Sequence, residues 1–214
     1  MKLLLATGNA HKLDEMRGLL ADIPGLEIVS LREFPSIEMP EETGATMTEN
    51  ARIKALHCAR ETGLLCIADD SGIEVNALGG KPGVHSARWV EGSDADRTDA
   101  LLAKLESTPE NERTARYRCA ICVAWPLAPG LSYNDELARE ETEATCDGRI
   151  GRQWRGKNGF GYDPVFEITP ETGAPPEWLG KTMAEAPPEI KARVSHRARA
   201  IELIKPALHQ LSRH

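Results

Sequence analysis

Leu3-Leu4-Leu5-Ala6-Thr7-Gly8-Asn9-Ala10-His11-Lys12 is the stretch that decides the fold. Leu3 to Ala6 is a short apolar run of the kind a buried strand carries. The next apolar positions, Leu13, Met16 and Leu20, fall at helical spacing. A glycine-containing turn therefore joins the carboxyl end of a strand to the start of a helix. Such a turn brings free backbone N–H groups and the positive end of the helix dipole to one point, which suits a phosphate. Lys12 sits in the first helical turn, although cations are favoured at the other end of a helix, and this suggests a resident anion. An ordinary strand-to-helix turn with a solvated lysine reads the same way over so short a motif.

The chain of 214 residues is 41% hydrophobic and 28% charged. It is long enough for a sizeable core in a single domain over 1–214. A net charge of −7 lacks the basic footprint of general nucleic-acid binding but leaves room for a single nucleotide. No apolar run approaches the roughly 20 residues of a membrane span, and the start of the chain is too short in apolar residues for a secretory signal. The 5 cysteines lack the density of a disulfide scaffold and point to a reducing compartment. Cys119 and Cys122 form C-x-x-C inside a strand pattern, where positions i and i+3 face opposite sides. They read as core residues rather than a metal or redox pair.

Along the chain, 26–31 reads as a second strand and 38–44 as an acidic loop. Thr46 and Glu49 make a capping box, so a helix is expected from there to about residue 62, stopped by Gly63. The apolar run 64–68 reads as a strand that ends in Asp69-Asp70-Ser71-Gly72, with 73–75 extended beyond it. A helix over 93–105, long strands over 115–125 and 140–150, a glycine-rich loop over 156–164 and a short strand over 165–168 follow. Residues 168–180 are irregular. Two helices close the chain, over 189–194 and 195–211, the second bent at Pro206. Strands mixed with helices give an α/β class with a mixed sheet flanked by helices, and two lobes around a cleft fit the pattern.

Asp69 and Asp70 are adjacent carboxylates at the expected strand end, costly side by side unless a cation joins them. Ligands of α/β folds bind beyond the carboxyl ends of strands, and Mg²⁺ takes one or two carboxylates plus phosphates and water. A solvated turn with aspartate as loop former is the plainer reading. Glu41 and Glu42 matter only if the fold brings them to Asp70. Asn50 and Lys54, four apart, share one helix face. Phe160 lies between Gly159 and Gly161, where a ring could stack on a base or turn into the core. Ser195 can cap the last helix, which places His196 and Arg197 at an anion-friendly terminus.

Taken in order, Thr7-Gly8-Asn9 with Lys12, Glu49-Asn50-Ala51 with Lys54, Ala68-Asp69-Asp70-Ser71-Gly72, Leu78-Gly79-Gly80, Ser86-Ala87-Arg88, Phe160-Gly161-Tyr162-Asp163-Pro164 and Ser195-His196-Arg197 resemble the inosine/xanthosine triphosphate pyrophosphatase family over nearly the whole chain. The resemblance implies a cytoplasmic, homodimeric, Mg²⁺-dependent hydrolase. Such an enzyme converts ITP, dITP and XTP to monophosphate and pyrophosphate and clears deaminated purines from the nucleotide pool. It implies an elongated mixed sheet flanked by helices, with two lobes and a nucleotide cleft between them.

It also implies roles. Thr7, Gly8, Asn9 and Lys12 hold the triphosphate, and Lys54 neutralises phosphate charge. Asp70 is the general base and works with the metal, with Glu41 the better candidate for the other metal carboxylate, Glu42 the second, and Asp69 assisting. Ser71 touches substrate. Phe160 stacks on the purine, Gly161, Tyr162 and Asp163 shape its pocket, and Lys191, His196 and Arg197 surround the base. Donors at those last positions would pair with a C6 oxygen and leave an adenine amino group unpaired. The chain departs from the shorter family pattern over 168–188, longer and richer in proline, which bears on the rim of the pocket. The irregular connection over 127–134 bears on the dimer contact.

Overall fold

The computed structural model describes residues 1–126 and 139–211. The expected connection over 127–134 lies outside these residues. Six strands form one sheet: β1 (Lys2–Leu5), β2 (Glu27–Ser30), β3 (Leu65–Val75), β4 (Thr114–Ala124), β5 (Arg139–Ile150) and β6 (Phe166–Glu167). Their order is β2-β1-β3-β4-β5-β6. β1 runs parallel to both neighbours, with Leu3 opposite Ile28 and Leu65, whereas β5 and β6 are antiparallel. The sheet is therefore mixed. The helices are α1 (Ala10–Leu20), α2 (Met47–Thr62), α3 (Asp94–Lys104), α4 (Pro188–Val194) and α5 (His196–Leu211), the last continuing through Pro206.

The local signals explain most boundaries. Asn9 caps α1 and Ser93 caps α3. Thr46 and Glu49 cap α2 reciprocally, and Gly63 ends it in the left-handed region at φ 66°. One expectation fails: β3 does not stop at Asp69 but runs unbroken through Asp69-Asp70-Ser71-Gly72 to Val75. Lysine and amide partners described below neutralise the two carboxylates, so the ladder can carry them inside the sheet. The irregular stretch expected over 168–180 holds two single turns of 3₁₀ helix, Pro170–Thr172 and Pro176–Trp178.

The chain divides into two compact units. The first comprises Met1–Asp70, Cys119–Ala144 and Ala200–His214. Its core joins Leu3 and Leu5 of β1, Leu13 and Met16 of α1, Ile121 and Val123 of β4, and Ile201 and Ile204 of α5. Each such side chain contributes about 1.5–3 kcal/mol on full burial. Cys119 and Cys122 are both buried and form no disulfide.

The second unit comprises Ser71–Arg118 and Thr145–Arg199. Ile73, Leu101, Tyr117, Phe166 and Met183 belong to its core. Arg113 is also fully buried there, its guanidinium donating to the carbonyls of Leu105, Ile150 and Gly151. A charge so placed is tolerated because its donors are met. Nothing in the sequence marks Arg113, since its acceptors are backbone atoms distant along the chain.

Candidate active site

In the first unit, the turn after β1 is built by two side chains. Thr7 Oγ1 accepts from Asn9 N at 3.2 Å, and Asn9 Oδ1 accepts from His11 N at 2.9 Å and Lys12 N at 3.2 Å. Two of the helix-start donors that the sequence offers to a phosphate are therefore taken by Asn9. The turn itself remains open: Gly8, Asn9 and Ala10 are exposed, and a Cβ on Gly8 would meet nothing within 4 Å. Lys12 has an anionic partner within the protein. Its Nζ lies 2.9 Å from Asp69 Oδ2, whose side chain has no solvent exposure.

The second ion cluster of this unit centres on Lys54. Its Nζ lies 2.7 Å from Glu42 Oε1 and 3.8 Å from Asp70 Oδ1. Asn50, one helical turn earlier and fully buried, donates from Nδ2 to Asp70 Oδ2 at 3.0 Å. Its Oδ1 accepts from Gly44 N at 2.7 Å. The amide is thereby fixed with its NH₂ toward Asp70 and its oxygen toward the acidic loop. Gly44 is needed for this approach, because a Cβ there would stand 2.6 Å from Asn50 Oδ1.

Burial pushes the Asp70 carboxyl above its ordinary value, although Lys54 and the Asn50 bond act against it. Burial also works against the Lys54 charge, but Asp69, Asp70 and Glu42 together outweigh it and hold this ammonium above the ordinary lysine value. Three carboxylates thus face two ammonium groups, Lys12 and Lys54.

The four carboxylates named from sequence as metal candidates are not gathered into a cage. Among the described residues, no three His, Cys, Asp or Glu side chains are arranged around one point as metal ligands. Glu42 reaches the Lys54–Asp70 cluster, Glu41 has an exposed side chain one residue earlier, and Asp69 is engaged by Lys12.

In the second unit, the base-side candidates come together around Asp163. Its Oδ2 accepts from Lys191 Nζ at 2.6 Å and from Phe160 N at 2.9 Å. Gly159 makes this possible. Its φ is +75°, and a Cβ there would stand 2.1 Å from Asp163 Oδ2. The half-buried Phe160 ring lies 4.8 Å from Lys191 Nζ and 5.8 Å from Arg197 Cζ, within cation–π range. Arg197 donates to Ser71 Oγ at 2.9 Å.

The loop that presents Phe160 is anchored on both sides. Gly161 N donates to Asp94 Oδ2 at 2.9 Å, and Thr98 Oγ1 donates to Gly161 O at 3.3 Å. Tyr162 does not line an open surface. It is buried, donates to Ser86 O at 3.0 Å, and burial pushes its hydroxyl pKa up to about 12. His196 is buried with its ring stacked on Tyr117 at 4.6 Å and 10°. Sequence reasoning missed Asp94, Thr98, Ser86 and Tyr117 as supports, because none stands in a motif with the residue it holds. The orienting role of Asn50 was signalled only by its i, i+4 relation to Lys54.

With this geometry in place, comparison with known proteins is informative. The model of the Ham1 family matches residues 3–207. The dITP/XTP pyrophosphatase of Symbiobacterium thermophilum is 48% identical over 200 residues, covering 94% of this chain and 91% of that protein. The dITP/XTP pyrophosphatase of Geobacillus kaustophilus is 45% identical over 202 residues, covering 94% and 90%. Among solved structures, a HAM1 protein from Coxiella burnetii superposes with a TM-score of 0.81 at 38% identity, covering 98% of this chain and 99% of that one.

Proposed function

Because the chain belongs to the Ham1 family, we propose that it is a nucleoside triphosphate pyrophosphatase. It hydrolyses non-canonical purine triphosphates (dITP, XTP and ITP) to the monophosphate and pyrophosphate, the activity for which its relatives are named in the first two cases. The observation that carries the chemistry is the convergence of Asp70 on β3 and Glu42 of the acidic loop on one ammonium, Lys54. Two carboxylates from separate segments fit Mg²⁺, which takes one or two protein carboxylates and completes its shell with water and substrate phosphate. Asp70 and Glu42 would hold the ion, which when bound supplies charge neutralisation at the phosphates.

The chain's own groups then have these tasks. Asp70 takes the proton from the water that attacks the α-phosphorus. Burial suits it to this task, since a raised pKa makes a carboxylate a stronger base. Asn50 fixes the direction in which the carboxylate points. The α–β phosphoanhydride bond breaks, and Lys54 neutralises charge on the departing pyrophosphate. Gly8 and the turn from Thr7 to Ala10 offer an open backbone surface to a phosphate.

At the base, Phe160 supplies a ring to stack on. Lys191 donates to Asp163 and Arg197 to Ser71, and N–H donors of this kind suit a 6-oxo purine. An adenine amino group facing them would go unpaired at a cost of about 1–3 kcal/mol. We treat 1–214 as one functional domain, in keeping with the family match over residues 3–207. A homodimer and a cytoplasmic setting belong to the same proposal and rest on the family resemblance. No helix of the described residues is long and apolar enough to cross a membrane.

The test is pyrophosphate release from ITP, XTP, dITP, GTP, ATP and dTTP with Mg²⁺ and again with EDTA. Metal-dependent release confined to the inosine and xanthosine nucleotides is expected. Release from dTTP instead would keep the phosphate chemistry and overturn the purine assignment.

A further inference from the structure

We propose that Tyr117, a core residue of β4, is the positioning residue that sets the plane of His196 in the second unit; this rests on the functional reading above, in which His196 lies beside the base. Tyr117 is buried and does not touch substrate. Its ring is nearly parallel to that of His196, with centroids 4.6 Å apart and planes 10° apart. Its other ring contact, with Phe166, is also at 4.6 Å but tilted by 42°. Phe166 is fully buried, so Tyr117 is wedged between a fixed core ring and the imidazole. Burial, with the Asp163 carboxylate adding to it, holds its hydroxyl well above the ordinary tyrosine pKa. The ring of this one buried side chain therefore fixes the plane of the His196 imidazole. A β4 residue that filled space alone would not need the parallel stack.

Two variants test the ring: Tyr117→Phe keeps it and Tyr117→Leu removes it. Tyr117→Phe is expected to keep kcat/KM for ITP within about threefold of the parent, whereas Tyr117→Leu is expected to lower the ITP-to-ATP ratio of kcat/KM by a factor of about ten. Removing the stacked ring should also displace the His196 ring-proton resonances in the nucleotide-free protein, a readout that needs no activity. His196 resonances unmoved in Tyr117→Leu, or an ITP-to-ATP ratio equal to that of Tyr117→Phe, overturn the ring role. Should the leucine variant not fold, Tyr117→Val and the same spectra decide. A parent enzyme without preference for ITP over ATP would instead overturn the functional reading, and the His196 spectra would still judge Tyr117.

Discussion

Replacing Lys12 by methionine separates two accounts of this residue. A lysine that serves phosphate alone can be lost with no change in the stability of the nucleotide-free protein. In the structure its Nζ lies 2.9 Å from Asp69 Oδ2, and the Asp69 side chain has no exposure to water. Removing one partner of a buried pair costs about 3–5 kcal/mol, because the other charge stays buried without compensation. The low end applies here, since the Lys54 ammonium also acts on Asp69. About 3 kcal/mol corresponds to a fall in Tm of about 6–12 °C for a chain of this size, at about 2–4 °C per kcal/mol. Thermal unfolding followed by circular dichroism, without nucleotide, measures it. Adding Asp69→Asn to Lys12→Met should recover most of the loss, because the amide brings no charge that needs a partner. A single variant that melts within about a degree of the parent would refute the reasoning and return Lys12 to the phosphate.

Asp70→Asn should lose nearly all turnover yet melt no lower than the parent at neutral pH, because it removes a carboxylate whose charge burial disfavours; pyrophosphate release and Tm measured together check this. EDTA should abolish turnover with little change in Tm, since no three-ligand metal cage exists among the described residues for the fold to depend on. Arg52 holds the Glu141 carboxyl below its ordinary value, with Arg139 adding to it, so the folded pKa is the lower one and this stabilisation is present above the unfolded value of 4.5 and is lost as pH falls through the folded one. Glu141→Gln should therefore cost up to about 1 kcal/mol near neutrality and nothing in strong acid, as urea titrations at the two pH values would report. Burial raises the thiols of Cys58, Cys66 and Cys146 to about 11, 12 and 12, so a disulfide reagent should label them only after denaturation.

What the sequence could and could not disclose follows from the range of each interaction. The strand–turn–helix at the start and the capping box of α2 are local arrangements whose partners lie within a few residues, and both were legible. The end of β3 was misread for a long-range reason. Two adjacent aspartates resemble a turn until Lys12, 57 residues away, and Asn50 and Lys54, 20 and 16 residues away, are seen to neutralise them. For the same reason the Asp69 partner of Lys12 could not be read from the sequence. The glutamates were separable only in three dimensions: Glu41 and Glu42 are neighbours in an acidic loop, and the pinning of Gly44 N to Asn50 Oδ1 accompanies the presentation of Glu42 to Lys54.

On the base side, the motif over 159–164 was visible, but its purpose is divided differently from what residue type suggests. Tyr162 looks like a ring for the ligand and is instead spent on Ser86 O. Asp163, which looks like a pocket wall, is the acceptor that joins Phe160 N and Lys191. The aromatic that sets His196 comes from Tyr117, 79 residues earlier in an apolar strand. A chemical motif names the groups that can react or bind, but their direction is imposed by partners that the motif does not single out. For this fold, Asn50, which donates to Asp70, and Tyr117, which stacks on His196, are those partners, and substitutions at them should alter turnover or specificity while Asp70 and His196 stay in place.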